Sequence, residues 1–80
     1  MRASLAELLT VLPGAQITAP ASFDGVSINS KSVVTGNLFV ALRGERFDAH
    51  DFLHDVATQG AAAVIAERVP EGFSLPAVLV

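Results

Sequence analysis

No cysteine occurs in the 80 residues, so neither a disulfide nor a thiolate metal site can hold this chain together. Its stability must come from buried apolar surface alone. A chain of this length buries only about 60% of the surface that its unfolded form exposes, which allows one small domain with a thin margin. Basic residues are few: five Lys and Arg stand against eight Asp and Glu, for a net charge of −3. The five form no run, so the electrostatic footprint of a nucleic-acid binder is missing. No apolar stretch approaches the ~18 residues that a membrane span requires. Arg2, the apolar residues from Ala3 to Leu12 and the segment Ala19-Pro20-Ala21 superficially resemble a secretory leader. Glu7 interrupts that run, and an amphipathic helix explains it better, so a cytoplasmic chain is expected. There is no Gly-x-x-x-x-Gly-Lys-Ser/Thr loop, no Gly-x-Gly-x-x-Gly after a strand and no His-Glu-x-x-His, which removes the usual signatures of phosphate-cradling loops and zinc helices. Internal repeats and low-complexity segments are also absent.

What remains is a soluble globular composition, 51% hydrophobic and 16% charged. Ser4-Leu5-Ala6-Glu7 fits a capping box. Leu5, Leu8, Leu9 and Leu12 follow at helical spacing, which predicts a short helix with one leucine face, stopped by Pro13-Gly14. From Ile17 to Ser30 the signal turns to strands. Val26 and Ile28 alternate with Ser27 and Asn29, a half-buried pattern preceded by an Asp24-Gly25 turn. Val34 to Asn37 reads as another turn. Leu38 to Leu42 is a strand apolar on both faces, and Gly44 permits a tight change of direction after it. Asp48 is placed to cap a helix, with Asp51 adding favourable charge in its first turn. Phe52, Val56, Leu53 and Ala57 are candidates to face inward, and Gly60 supplies the stop. Ala61 to Ala66 is a second buried strand and Pro76 to Val80 a third. Strand, helix, strand over some thirty residues is a βαβ unit. The fold class is therefore α/β: a small mixed sheet with a βαβ unit and a short covering helix at the N-terminus. Residues 77–80 carry no cap, turn or polar tail, the pattern expected of a domain excised from a longer chain.

The candidate chemistry sits in two loops. Ser30-Lys31-Ser32 ends a strand and offers two hydroxyls, an ammonium and backbone amides, either an anion site or an ordinary polar turn. Gly44-Glu45-Arg46-Phe47 follows the strongest strand; Glu45 and Arg46 equally suit a surface ion pair worth only ~0–1 kcal/mol. His50 and His54 are four apart with Asp51 and Asp55 interleaved. That spacing can bind a metal, but without a positioned third ligand solvated surface histidines explain it better. His50 has a second possible role at the junction of loop and helix, near Asp48. Read from residues alone, the chain is a small α/β module with two binding loops that can share a cleft, and no catalytic apparatus.

Nearly the whole chain resembles the N-terminal domain of the Mur ligases, the ATP-dependent amide-forming enzymes of peptidoglycan precursor synthesis. The resemblance rests on Asn29-Ser30-Lys31, on Thr35-Gly36 and on Leu38-Phe39-Val40-Ala41-Leu42-Arg43-Gly44. It continues through Glu45-Arg46-Phe47-Asp48-Ala49-His50-Asp51-Phe52 and through Ala57 to Ile65. The family pattern has Asp and Arg where Asn29 and Lys31 stand; Lys keeps the charge and loses the bidentate fork. Within the family, the charged loop is most similar to that of the ligases adding D-alanyl-D-alanine to UDP-N-acetylmuramoyl-tripeptide. The ligases adding the third amino acid are the alternative. A stand-alone interaction module that keeps the scaffold without the ligand is a further reading.

The resemblance implies a UDP-substrate-binding role, with Asn29, Ser30 and Lys31 near the diphosphate and Gly44, Glu45, Arg46 and Phe47 forming the other wall of a uracil pocket. It implies no catalytic or metal-binding residue and no cofactor in this chain. ATP and Mg²⁺ belong to a central domain of the same ligase, where the substrate carboxylate becomes an acyl phosphate that the incoming amine attacks. The implied partners are a UDP-N-acetylmuramoyl-peptide and that central domain, without nucleic acid or membrane, in a monomer.

Overall fold

The computed structural model describes residues 2–42 and 48–80. Along the chain these form β1 (Arg2–Ser4), α1 (Leu5–Leu8), β2 (Gln16–Ile17), β3 (Ser22–Asp24), β4 (Val26–Ser27) and β5 (Leu38–Val40). A 3₁₀ turn (Ala49–Phe52), α2 (Leu53–Thr58), β6 (Ala63–Ala66) and β7 (Ala77–Leu79) follow. Five strands make one mixed sheet in the order β2-β7-β6-β5-β4. Strands β4 to β7 are mutually parallel and β2 runs antiparallel to β7. The three residues of β1 pair antiparallel with β3 in a separate two-stranded ribbon, an element that the sequence pattern does not announce.

The central strands read as unbroken apolar runs because both faces of the sheet are covered. On one face Leu38, Ala63 and Val78 pack with Leu5 of α1 and Phe23 of β3. On the other, Phe39, Val64, Ala66 and Ala77 pack with Leu53 and Val56 of α2, with Val33 and Ala49 at the margin. Alternation along each strand sends neighbouring residues to opposite layers, so β5, β6 and β7 each divide their side chains between two cores.

Helix α2 ends in a Schellman motif: Gly60 N–H donates to Ala57 O at 3.2 Å and Ala61 N–H to Val56 O at 3.2 Å. Gly60 holds φ +98°, a conformation that only glycine adopts cheaply. Asn37, just before β5, is buried and hydrogen-bonded through both ends of its side-chain amide. Its Oδ1 accepts from Val34 N–H at 3.0 Å and its Nδ2 donates to Asp24 O at 3.0 Å. Its own carbonyl accepts from Ala62 N–H at 2.8 Å. One side chain thus joins the two turns expected around Asp24-Gly25 and Val34-Asn37.

Four expectations are corrected. The leucine helix is only four residues long; beyond Leu8 the chain continues in turns, with three-residue bonds from Leu9 to Ala6, Thr10 to Glu7 and Val11 to Leu8 and a four-residue bond from Leu12 to Leu8. That change rotates Leu9 off the shared face, and it is 40% exposed. The alternation in Val26 and Ile28 is inverted: they are 60% and 64% exposed, and Ser27 is the more covered. Val26 is in register with Leu38, so it points to the same face, but β4 is the edge strand and lies beyond the layer that covers Leu38. The strand predicted over Leu38–Leu42 ends at Val40, and that predicted over Ala61–Ala66 starts at Ala63.

Candidate functional site

The chain leaving β4 is knotted by short polar contacts. Ser27 Oγ donates to Asn29 O at 3.1 Å and accepts from Asn29 N–H at 3.3 Å. Asn29 Oδ1 then accepts the Lys31 N–H at 2.9 Å, and Ser32 N–H closes on Asn29 O at 3.1 Å. Residues 29–32 are therefore a β-turn with an Asx contact inside it, and Ser30 and Lys31 are its two central residues. Asn29 shapes the turn: its side-chain Oδ1 orients the Lys31 amide.

The opposite wall comes from the chain entering α2. Asp48 caps the 3₁₀ turn, its Oδ1 accepting from His50 N–H at 3.0 Å. The same oxygen lies 2.5 Å from His50 Nδ1, and Oδ2 accepts from Arg68 at 2.9 Å. His50 Nε2 accepts the Glu67 N–H at 3.0 Å. An imidazole nitrogen that accepts carries no proton, so the proton sits on Nδ1 and is donated to Asp48. The backbone bond from His50, then those from the His50 ring and Arg68, hold the Asp48 carboxyl far below the usual carboxylate range.

This network revises the reading of the two histidines. His50 is 7% exposed, so it is no solvated surface residue, and both of its ring nitrogens are engaged inside the fold. His54 is exposed on α2 and meets the Phe73 ring edge-on at 5.9 Å. The i, i+4 spacing therefore does not give a pair of available ligands, and no group of three or more His, Asp or Glu suited to a metal occurs among the described residues.

Between the two walls lies a cleft of about 500 Å³ lined by Ile28, Asn29, Ser30, Lys31, Ala49 and Phe52. That volume falls in the range of small-molecule sites. One side is apolar (Ile28, Ala49 and the Phe52 ring), and the other presents the Ser30 hydroxyl and the exposed Lys31 ammonium. A planar ring with an anionic tail matches such a surface: the ring against the apolar side, the charge toward Lys31. Among the described residues the lining holds no carboxylate or imidazole.

Of the predicted site residues, Asn29, Ser30 and Lys31 are brought together on this cleft. Gly44, Glu45, Arg46 and Phe47 lie outside the described residues. Ile28, Ala49 and Phe52 were missed. Ala49 and Phe52 follow the Asp48 cap directly, a signal for the start of a turn that says nothing of which side chains face a cleft. Gln59, which contacts the Ser30 carbonyl, has no local signal at all.

The architecture and motifs agree with comparisons to known proteins. A family model described as "Mur ligase family, catalytic domain" matches residues 22–72. The UDP-N-acetylmuramoyl-tripeptide--D-alanyl-D-alanine ligase of Escherichia coli (strain K12) is 39% identical over 77 residues, covering 96% of this chain and 17% of that protein. The UDP-N-acetylmuramoyl-L-alanyl-D-glutamate--2,6-diaminopimelate ligase of Aquifex aeolicus is 43% identical over 56 residues, 70% of this chain and 11% of that protein. Among solved structures, MurF from Acinetobacter baumannii superimposes with a TM-score of 0.67 at 32% identity, over 74% of this chain and 13% of that one. The chain thus spans less than a fifth of the curated relatives it matches. With the family model matching most of its length and a relative similar over nearly all of it, the chain belongs to the Mur ligase family.

Proposed function

We propose that residues 1–80 form the N-terminal, UDP-substrate-recognition domain of a three-domain ligase that adds D-alanyl-D-alanine to UDP-N-acetylmuramoyl-tripeptide. The observation that carries this reading is the half-apolar, half-polar cleft between the turn at residues 29–32 and the 3₁₀ turn at Ala49–Phe52. The uracil ring lies against Ile28 and Phe52, and the diphosphate meets the Ser30 hydroxyl and the Lys31 ammonium. The alternative, a ligase that adds the third amino acid of the peptide, is supported by relatives of that name at 43% and 40% identity. Coverage does not separate the two, at 96% of this chain for a D-alanyl-D-alanine ligase and 95% for a diaminopimelate ligase; the MurF neighbours among solved structures favour the first.

In either case the domain binds and does not catalyse. ATP and Mg²⁺ belong to the central domain, and the parent ligase works as a cytoplasmic monomer. One wall of a larger cleft binds weakly, with Kd above about 0.1 mM, or less than ~5.5 kcal/mol of binding free energy. The test is an NMR titration of this chain with UDP-N-acetylmuramic acid, with ATP as control. Shifts at Asn29–Ser32 and Ala49–Phe52 that ATP does not produce are expected. Silence at millimolar ligand overturns the assignment. Assaying the whole ligase with tripeptide plus D-alanyl-D-alanine against dipeptide plus diamino acid separates the two activities.

A further inference from the structure

The two walls of the cleft are tied to the same helix. Phe52 is the residue that caps α2 at its start, and Gln59 is the residue at its end. Gln59 Nε2 donates to Ser30 O at 2.5 Å, across 29 positions of sequence, and lies 3.4 Å from Asp55 O in its own helix. Both partners are carbonyl oxygens, so the group facing them must be the amide NH₂ and not the amide oxygen. A second tie runs alongside: Gly36 N–H donates to Gly60 O at 2.9 Å. Ser27 and Asn29 shape the β-turn from within, but nothing in those contacts sets where the turn stands relative to Phe52. The Gln59 bond does.

We propose that Gln59 is a positioning residue for the substrate cleft, holding the Ser30–Lys31 turn at a fixed distance from Phe52 by binding the Ser30 carbonyl. The inference rests on the recognition role proposed above. Gln59 is not among the residues lining the cleft; it acts by fixing where the Ser30 hydroxyl and Lys31 ammonium point.

The test uses the ¹⁵N-labelled chain with UDP-N-acetylmuramic acid as probe, comparing Gln59→Leu, Gln59→Glu and Gln59→Lys. Leu keeps the bulk and loses the donor, Glu sets a carboxylate against the carbonyl, and Lys restores a donor of similar reach. Loss of one neutral hydrogen bond predicts affinity about threefold to tenfold weaker in Gln59→Leu, weaker still in Gln59→Glu and restored in Gln59→Lys. The Ser30 and Lys31 amides of Gln59→Leu should also shift without ligand, a readout that loss of helix stability alone would not confine to the turn. Unchanged affinity in Gln59→Leu, with affinity lost in Lys31→Ala, overturns the positioning role and leaves the cleft assignment standing. No ligand shifts in the parent chain, or none lost in Ser30→Ala and Lys31→Ala, overturn the cleft and the positioning role together. If Gln59→Leu does not fold, the Lys and Glu variants carry the test, and equal affinities for those two overturn the proposal.

Discussion

Asp48 concentrates more of the local electrostatics than any other described side chain. Its carboxylate accepts bonds from the His50 backbone, the His50 ring and Arg68, all of which favour the charged form. A carboxyl whose folded pKa lies below its unfolded value of 3.8 adds stability that is fully present above that pH. This contribution is lost as pH falls through the acid range. Urea unfolding between pH 6 and pH 2.5 should therefore show a steep acid loss in the parent chain and a shallower one in Asp48→Asn. Equal slopes would remove Asp48 from the account.

Two glycines separate backbone strain from crowding. Gly14 (φ +83°) has open space around it, whereas a Cβ on Gly60 (φ +98°) would lie 2.9 Å from Thr35 Oγ1 and 3.2 Å from Thr35 Cα. Gly14→Ala should cost about 1–2 kcal/mol, the strain of the left-handed conformation. Gly60→Ala should cost about 2–4 kcal/mol because overpacking adds to it. Chemical denaturation of the two variants side by side decides whether the helix stop at Gly60 also docks the 34–37 turn.

At the scale of elements, the strands differ in what their side chains meet. Val64 in β6 is wholly buried between α2 and its neighbouring strands, while Val26 in edge strand β4 faces solvent. Val64→Ala should cost about 2–4 kcal/mol, and Val26→Thr should stay within about 0.5 kcal/mol, although the same pattern of β-branched residues marks both. A large effect at Val26 would mean that the edge is covered in solution. The same contrast explains what the sequence made legible. Strands β5, β6 and β7 are covered on both faces, and continuous apolar runs report that directly. The Asp48 cap and the Gly60 stop are local chemistry, written within four residues of the atoms they satisfy. Exposure of Val26 and Ile28 depends on where a separate covering layer stops, which alternation cannot encode. Burial of His50 depends on the Glu67 amide seventeen residues away, and the cleft depends on Gln59 reaching Ser30. Asn29, Ser30 and Lys31 were legible as a polar turn; their facing wall was not, because Ile28, Ala49 and Phe52 carry no polar signature.

For the whole molecule, the central sheet splits one small hydrophobic interior into two layers that share no side chain. Leu5 anchors one and Leu53 the other, and each is fully buried. A single Leu→Ala change costs about 2–5 kcal/mol, against a total of roughly 4–12 kcal/mol for a domain of this length. Leu5→Ala and Leu53→Ala should each retain a cooperative thermal transition with a lowered midpoint. Because the two sites lie on opposite sides of the sheet, their costs should add, and the double variant should lose its cooperative transition at 25 °C. A double variant that still melts sharply would show that the layers buffer one another.

Strand β2 has one neighbour in the sheet, β7, and the contact is sealed by the Ala77 N–H donating to Thr18 Oγ1, 59 positions apart. During synthesis at ~5–20 residues per second, Gln16 and Ile17 therefore wait several seconds before their partner has been made. Until then β2 has no strand to pair with, although Leu5 of α1 can already meet Leu38 and Ala63. Before β7 emerges the chain presents two unpaired strand edges at once, those of β2 and β6, and that interval is when it is most open to pairing with another chain.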